Sequence, residues 1–166
     1  ALLAGCGEDS KGTVTEIFIL KTDMPRLNYV QGQALDLQDG VLTAVINDET
    51  TPVPLNGEGV TVTGYNPDQL GKQTVTVTYQ GKTTTFDVTV NPRAVAEGYE
   101  ENFFVGDSFD SGKGKIRITK DNGSTVAVNM NSSDISVKSF DSSRAGKATV
   151  TVTCQLDGQS YECTFE

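Results

Sequence analysis

The sequence predicts an all-β chain built of two tandem β-sandwich domains, and three observations carry that prediction. Valine and threonine alternate in short runs bounded by Gly, Pro, Asn and Asp, the period-2 signature of strands that bury one face. There is no long apolar run, and few segments place apolar residues at helical spacing. Finally, Gly71-Lys-Gln-Thr-Val-Thr-Val-Thr-Tyr79 returns as Gly146-Lys-Ala-Thr-Val-Thr-Val-Thr-Cys154, so one module is written twice.

Residues 1–12 precede the modules. Here Leu3-Ala4-Gly5-Cys6 resembles the lipobox of bacterial lipoprotein signal peptides, an apolar residue and two small ones before a cysteine. The resemblance implies lipidation at Cys6, whose thiol becomes the acyl acceptor. Two or more acyl chains, at about 0.8 kcal/mol per buried CH₂, hold a protein on a membrane where one does not. Gly7-Glu-Asp-Ser-Lys-Gly12 is polar and reads as a flexible tether.

The first domain is expected over residues 13–91. Val14 to Leu20 opens it as a strand, stopped at Pro25. Tyr29-Val-Gln-Gly32 leads through a glycine turn to Leu35-Asp-Leu37, whose leucines would share one face. Val41 to Ile46 is the next strand. Asn47 to Pro52 reads as a hairpin-type turn, and Val53-Pro-Leu55 as a short edge-like strand, because Pro54 cannot donate to a ladder. Val60-Thr-Val-Thr-Gly-Tyr65, the Asn66-Pro67-Asp68 turn, Gly71 to Tyr79, the Gln80-Gly81 turn and Thr83 to Val90 complete about seven strands.

These runs resemble the bacterial immunoglobulin-like domains of the group 3 type, over roughly Leu20 to Val90. The resemblance implies an Ig-like sandwich serving as a non-enzymatic extracellular module, and it brings no catalytic residues. After the stiff Asn91-Pro92 joint, residues 92–166 are expected to repeat the fold. Gly106 follows Gly32 by 74 residues and Gly146 follows Gly71 by 75. On that offset Phe103-Phe-Val-Gly106 answers Tyr29-Val-Gln-Gly32, Ile116-Arg-Ile118 answers the Val41 strand, and Ile135 to Phe140 answers Val60 to Tyr65. Phe109 stands where the first copy has its leucine pair, and Val126-Ala-Val128 replaces Val-Pro-Leu. In the repeated stretch the final residue, Tyr79 against Cys154, is the difference expected to count.

Composition narrows the chemistry. The net charge of -9, from 22 acidic against 13 basic side chains, repels phosphate backbones and so excludes nucleic acid as a partner, while favouring a soluble monomer. The chain has no histidine, the commonest general base and metal ligand, and no tryptophan, the flattest platform for sugars. No cofactor or metal is expected. Acidic turns at Asp36 with Asp39, Asn47-Asp48-Glu49, and Asp107 with Asp110 offer oxygen ligands, but none has EF-hand spacing, and acids in turns make local backbone bonds.

Cys154 and Cys163 flank a predicted Asp157-Gly158 hairpin turn, which would set Cys154 opposite Tyr161 and Cys163 opposite Val152. Diagonal Cβ atoms lie about 7 Å apart, beyond disulfide span, so two buried thiols are expected; a bulge that brings them into a bridge is the alternative. The resulting expectation is a non-enzymatic lipoprotein on the extracellular face of a bacterial membrane, anchored through Cys6. It would act as an adhesive or spacer module toward protein ligands. The alternative is a carbohydrate-binding module, which requires an exposed row of rings from among Tyr65, Tyr79, Tyr99 and Phe104.

Overall fold

A computed structural model describes residues 12–166; Cys6 lies outside the described residues. The chain forms two compact units, one of residues through Tyr29 with Ala34–Val90, the other of Val30–Gln33 with Asn91–Glu166. Both are all-β, as expected.

The first copy has strands β1 (Val14–Phe18), β2 (Asn28–Val30), β3 (Val41–Ile46), β4 (Glu49–Pro54), β5 (Val60–Thr63), β6 (Gly71–Tyr79) and β7 (Lys82–Asn91). They make two sheets, ordered β1-β3-β4 and β2-β7-β6-β5. One core lies between them: Val14, Ile17, Leu42 and Ala44 from the first sheet meet Tyr29, Val75, Val77, Phe86, Val88 and Val90 from the second. The alternation read from the sequence is what places these side chains inward while Thr74, Thr76 and Thr78 face outward or sit half-buried.

The second copy has β8 (Ala94–Glu97), β9 (Lys115–Thr119), β10 (Thr125–Asn129), β11 (Ile135–Ser139), β12 (Val150–Leu156) and β13 (Gln159–Phe165). Its sheets are β8-β9-β10 and β11-β12-β13. Ile116, Ile118, Met130, Val150, Val152, Cys154 and Cys163 form its core. Strand by strand it repeats the first copy, except that among the described residues the counterpart of β2 is not in strand.

Several local expectations are corrected. The turn after β3 is two residues, not six: Asn47 and Asp48 adopt φ of 52° and 65°, and β4 begins at Glu49, opposite Ile46. Asn and Asp tolerate this left-handed backbone, and the paired positive φ values match the twist of the strands they join. Ile46↔Glu49 is then the hydrogen-bonded pair that closes the hairpin, and bonded pairs recur at Ala44↔Thr51 and Leu42↔Val53. Pro52 and Pro54 fall between them, at positions whose N–H would point away from β3. Since β4 is the outer strand of its sheet, neither proline removes a ladder bond.

Leu35-Asp-Leu37 is not a strand, although both leucines pack against the core. A side chain holds this loop instead of a ladder. The buried Tyr29 hydroxyl donates to the Arg26 carbonyl at 2.8 Å and accepts from the Asp36 amide at 3.2 Å. Phe103-Phe-Val-Gly106 is likewise not a strand, and β12 starts at Val150 rather than Gly146. These last two departures meet at one place.

Candidate functional site

The second copy carries an open groove of about 650 Å³ whose apolar side is formed by Tyr99, Phe103, Phe104, Phe140 and Val150. Its walls are two stretches that belong to no strand, 100–105 and 144–148. The first copy fills the corresponding space with strand. There, β6 pairs with β7 through Gly71↔Val90, Lys72↔Thr89, Gln73↔Val88 and Thr74↔Asp87, and β2 lies on the other side of β7. In the second copy the β12–β13 pairing ends at Val150↔Phe165, the counterpart of Val75↔Phe86.

The groove floor preserves a feature of the fold. Tyr29 and Tyr65 rings lie 5.2 Å apart, tilted by 56°; their counterparts Phe103 and Phe140 lie 5.0 Å apart, tilted by 58°. Such tilted pairs add about 0.5–1.5 kcal/mol beyond the area they bury. In the second copy the pair grows into a cluster through Phe109, Phe165 and Tyr99. Tyr29 and Tyr65 contribute differently: burial raises both phenol pKa values. The second copy has no hydroxyls to satisfy there.

The repeated stretch differs at two positions, Tyr79 against Cys154 and Gln73 against Ala148, and the second bears on the start of the strand. Gln73 is the one buried polar residue of the described core. Its Oε1 accepts from the Asn66 amide at 2.7 Å, and its Nε2 donates to the carbonyls of Asn66 at 2.8 Å and Gln69 at 2.5 Å. The side chain thus clamps the β5–β6 loop against the start of β6. Its counterpart, Ala148, has no polar group to offer, and residues 146–149 are not in strand. Alternation places Gln73 on the inward face with Val75 and Val77, but nothing in the pattern names the partners of its amide.

Three charged groups of the groove, Glu100, Lys147 and Glu166, are held in ion pairs. Lys113 Nζ lies 2.6 Å from Glu100, and Lys147 Nζ 2.9 Å from Glu166. The latter repeats the first copy's Lys72–Asp87 pair at 2.7 Å, so the lysine that follows the glycine in each repeated stretch reaches an acid across from it. Hydrogen bonds from these lysines hold the carboxyls of Asp87, Glu100 and Glu166 below their usual range; Arg117 does the same to Glu97, and Ser143 to Asp141.

Those shifts fix a pH profile. A carboxyl whose folded pKa is depressed stabilises the fold above its unfolded pKa and stops doing so as pH falls through the folded value. With no histidine to titrate between, the thermal midpoint should stay level from pH 8 to about 5 and fall below about pH 4. Each pair is solvent-exposed, so the decline should be gradual and should weaken in high salt. A midpoint that shifts between pH 8 and 6 contradicts this assignment.

The remaining candidates can be placed directly. Cys154 and Cys163 are free, buried thiols on one face of the β12–β13 hairpin, with Cys154 opposite Tyr161 and Val152 opposite Cys163. Burial raises both thiol pKa values, which keeps them protonated and unreactive. Among the described residues no group of acidic or cysteine side chains is arranged to hold a metal ion. The acidic turns are occupied locally: Asp36 accepts from the Gln38 amide, Asp107 from the Phe104 amide and Asp110 from the Gly112 amide. Of the rings considered for sugar stacking, Tyr65, Tyr79 and Tyr99 are half-buried, and only Phe104 is exposed, at 84%.

The family profile described as bacterial Ig-like domain (group 3) matches residues 27–90 and 99–164, once in each copy. The chain belongs to this family. An exo-beta-1,6-galactobiohydrolase of Bifidobacterium longum is similar to this bacterial Ig-like chain, with 38% identity over 80 residues. That match covers 46% of the chain and 5% of the enzyme, so the chain spans a small fraction of the curated relative it matches. A solution structure of a candidate surface protein shares 34% identity, covering 48% of this chain and 89% of that one, at a TM-score of 0.32. Both bacterial Ig-like domains therefore fall within the described sandwiches, with the groove in the second.

Proposed function

We propose that this chain is a non-catalytic module of the bacterial cell surface, held on the outer face of the membrane by lipid on Cys6 and working as a monomeric spacer and adhesive unit toward protein ligands. The observation that carries this reading is a scaffold used twice with its ring pair and its lysine–carboxylate bridge retained, while the stretches at one end diverge. Retained framework with varied ends is how Ig-like sandwiches present binding surfaces. Recognition by backbone along a strand edge, or by end loops, needs no catalytic residue. The carbohydrate-binding alternative draws on the galactobiohydrolase relative. It is the weaker reading, because one exposed ring does not make a stacking platform.

Mass spectrometry of the protein isolated from its native bacterium tests the anchor. The expected result is an N-terminal, acylated Cys6, with globomycin blocking the processing and Cys6→Ser releasing the protein from membranes. A membrane-bound chain bearing an unmodified Cys6 would sink the anchor.

A further inference from the structure

The two copies finish one sheet margin differently. The Leu55 amide donates to the Gly40 carbonyl at the end of the β3–β4 ladder, and the Met130 amide to the Gly114 carbonyl at the end of β9–β10, each at 2.9 Å. That shared bond aligns Pro52 with Ala127 and Pro54 with Asn129, two residues along from the match expected on the Val-Pro-Leu pattern. The second copy therefore lacks both prolines that take donors off the margin of the first.

β10 is an outer strand of its sheet. The Lys120 amide bonds to Ser124 and the Met130 amide to Gly114, so the antiparallel alternation turns the backbone groups of Val126 and Val128 toward β9 and those of Thr125, Ala127 and Asn129 outward. Among the described residues none of these three amides has a partner, and all three side chains are exposed. The strand runs five residues without a charge, a proline or a register shift, whereas β1 and β11, outer strands of other sheets, each break register. A regular, uncharged margin with its donors intact is a template for another strand.

We propose that β10 pairs antiparallel with β10 of a second copy of this chain, about a two-fold axis at Ala127. Thr125-Val-Ala-Val-Asn129 has the same polarity read from either end, which a strand that pairs with itself requires. Ala127 lies opposite its own counterpart and Thr125 opposite Asn129, so every outward amide meets an outward carbonyl. The Asn129 carbonyl, which accepts from the Ser132 amide at 2.9 Å, keeps a second lone pair for this. Val126 and Val128, both half-buried, face each other on the inner side. Charge favours this strand as the meeting place. A chain of net charge -9 repels its own copies, but β10 carries no charge, and Arg117, opposite Ala127 on the strand behind, is bridged to Glu97 at 2.8 Å. One strand pair of this length buries less than the roughly 1,200 Å² of a stable interface, so the chain stays single in dilute solution and pairs where copies are concentrated. The contact goes beyond the monomeric reading above and needs neither lipid on Cys6 nor an adhesive role.

The test follows hydrogen exchange in the whole chain carrying Cys6→Ser, at about 10 μM and about 1 mM, on either side of a weak contact. Exchange at Thr125, Ala127 and Asn129 should slow by at least about twofold at the higher concentration, while the Thr50 amide, the outward donor that β4 keeps, stays unchanged. Ala127→Lys and Ala127→Glu each set like charges opposite one another across the axis, and each alone should lose the effect. An equimolar mixture of the two should regain it, because opposite charges then meet. Exchange that is the same at both concentrations overturns the proposal and leaves the margin to a different chain. Slowing that survives in either variant alone also overturns it, since the contact is then elsewhere, and a mixture that fails to regain the effect rules out the two-fold register.

Discussion

Replacing Gln73 with alanine should destabilise the first unit by about 2–4 kcal/mol and leave the second unchanged. The side chain makes three hydrogen bonds, and all three tie residues of the β5–β6 loop. Removing it strands the Asn66 amide and two carbonyls in a half-buried loop, and unpaired groups of this kind cost about 1–3 kcal/mol each unless water reaches them. The substitution also reproduces what the second copy has at Ala148, so the start of β6 should loosen toward the state of residues 146–149. Chemical denaturation checks it, provided the two units are fitted as separate transitions. A loss under about 0.5 kcal/mol in the first transition would mean that the loop holds without its clamp.

Ile118→Ala should have the comparable effect in the second unit. Ile118 is fully buried and pairs across both neighbours of β9, with Ala94 on one side and Val126 on the other. Truncating such a side chain costs about 2–5 kcal/mol through lost transfer energy and the cavity left behind. A unit of this size buries only about 60% of its unfolded surface, so that is a large share of its stability. The buried thiols supply the readout. In a Cys6→Ser background, labelling of Cys154 and Cys163 requires the unit to open, and the substitution should accelerate it by at least about tenfold. Unchanged labelling rates would show that the thiols exchange by a local opening of the hairpin rather than through loss of the core.

Much of the fold was legible because turns carry register. Gln80-Gly81 and Asp157-Gly158 adopt the paired positive φ values of two-residue hairpins, and once such a turn is located every opposing pair outward from it follows. That is how the positions of Cys154, Cys163 and their partners could be read without coordinates. The duplication was legible for a similar reason, as its offset stays constant through β5 and β11.

What the sequence hides is whether a strand has a neighbour. Tyr29-Val and Phe103-Phe-Val look alike in pattern, yet only the first lies beside a strand that hydrogen-bonds to it. Strand formation is a property of pairs, and alternation records only half of the pair. Gln73 was hidden for the opposite reason: a polar residue among inward valines gives no sign that its partners arrive from a loop several residues earlier. The groove inherits both blind spots, since its walls are an unpaired strand start and an unpaired β2 counterpart. Its ring pair could have been found by carrying the 74- and 75-residue offsets from Tyr29 and Tyr65 to Phe103 and Phe140.

The prolines of β4 have a consequence for crowding. If the proposed lipid on Cys6 holds copies of the protein on a membrane, they meet side by side at high local concentration, where an open sheet margin invites lateral zippering into fibrils. Pro52 and Pro54 delete two successive outward donors from that margin, so a second molecule approaching it finds carbonyls with nothing to complete the ladder. Dense carpets of this protein should therefore remain discrete molecules along this side, and restoring the donors with Pro52→Thr and Pro54→Thr is the change that would let neighbours fuse.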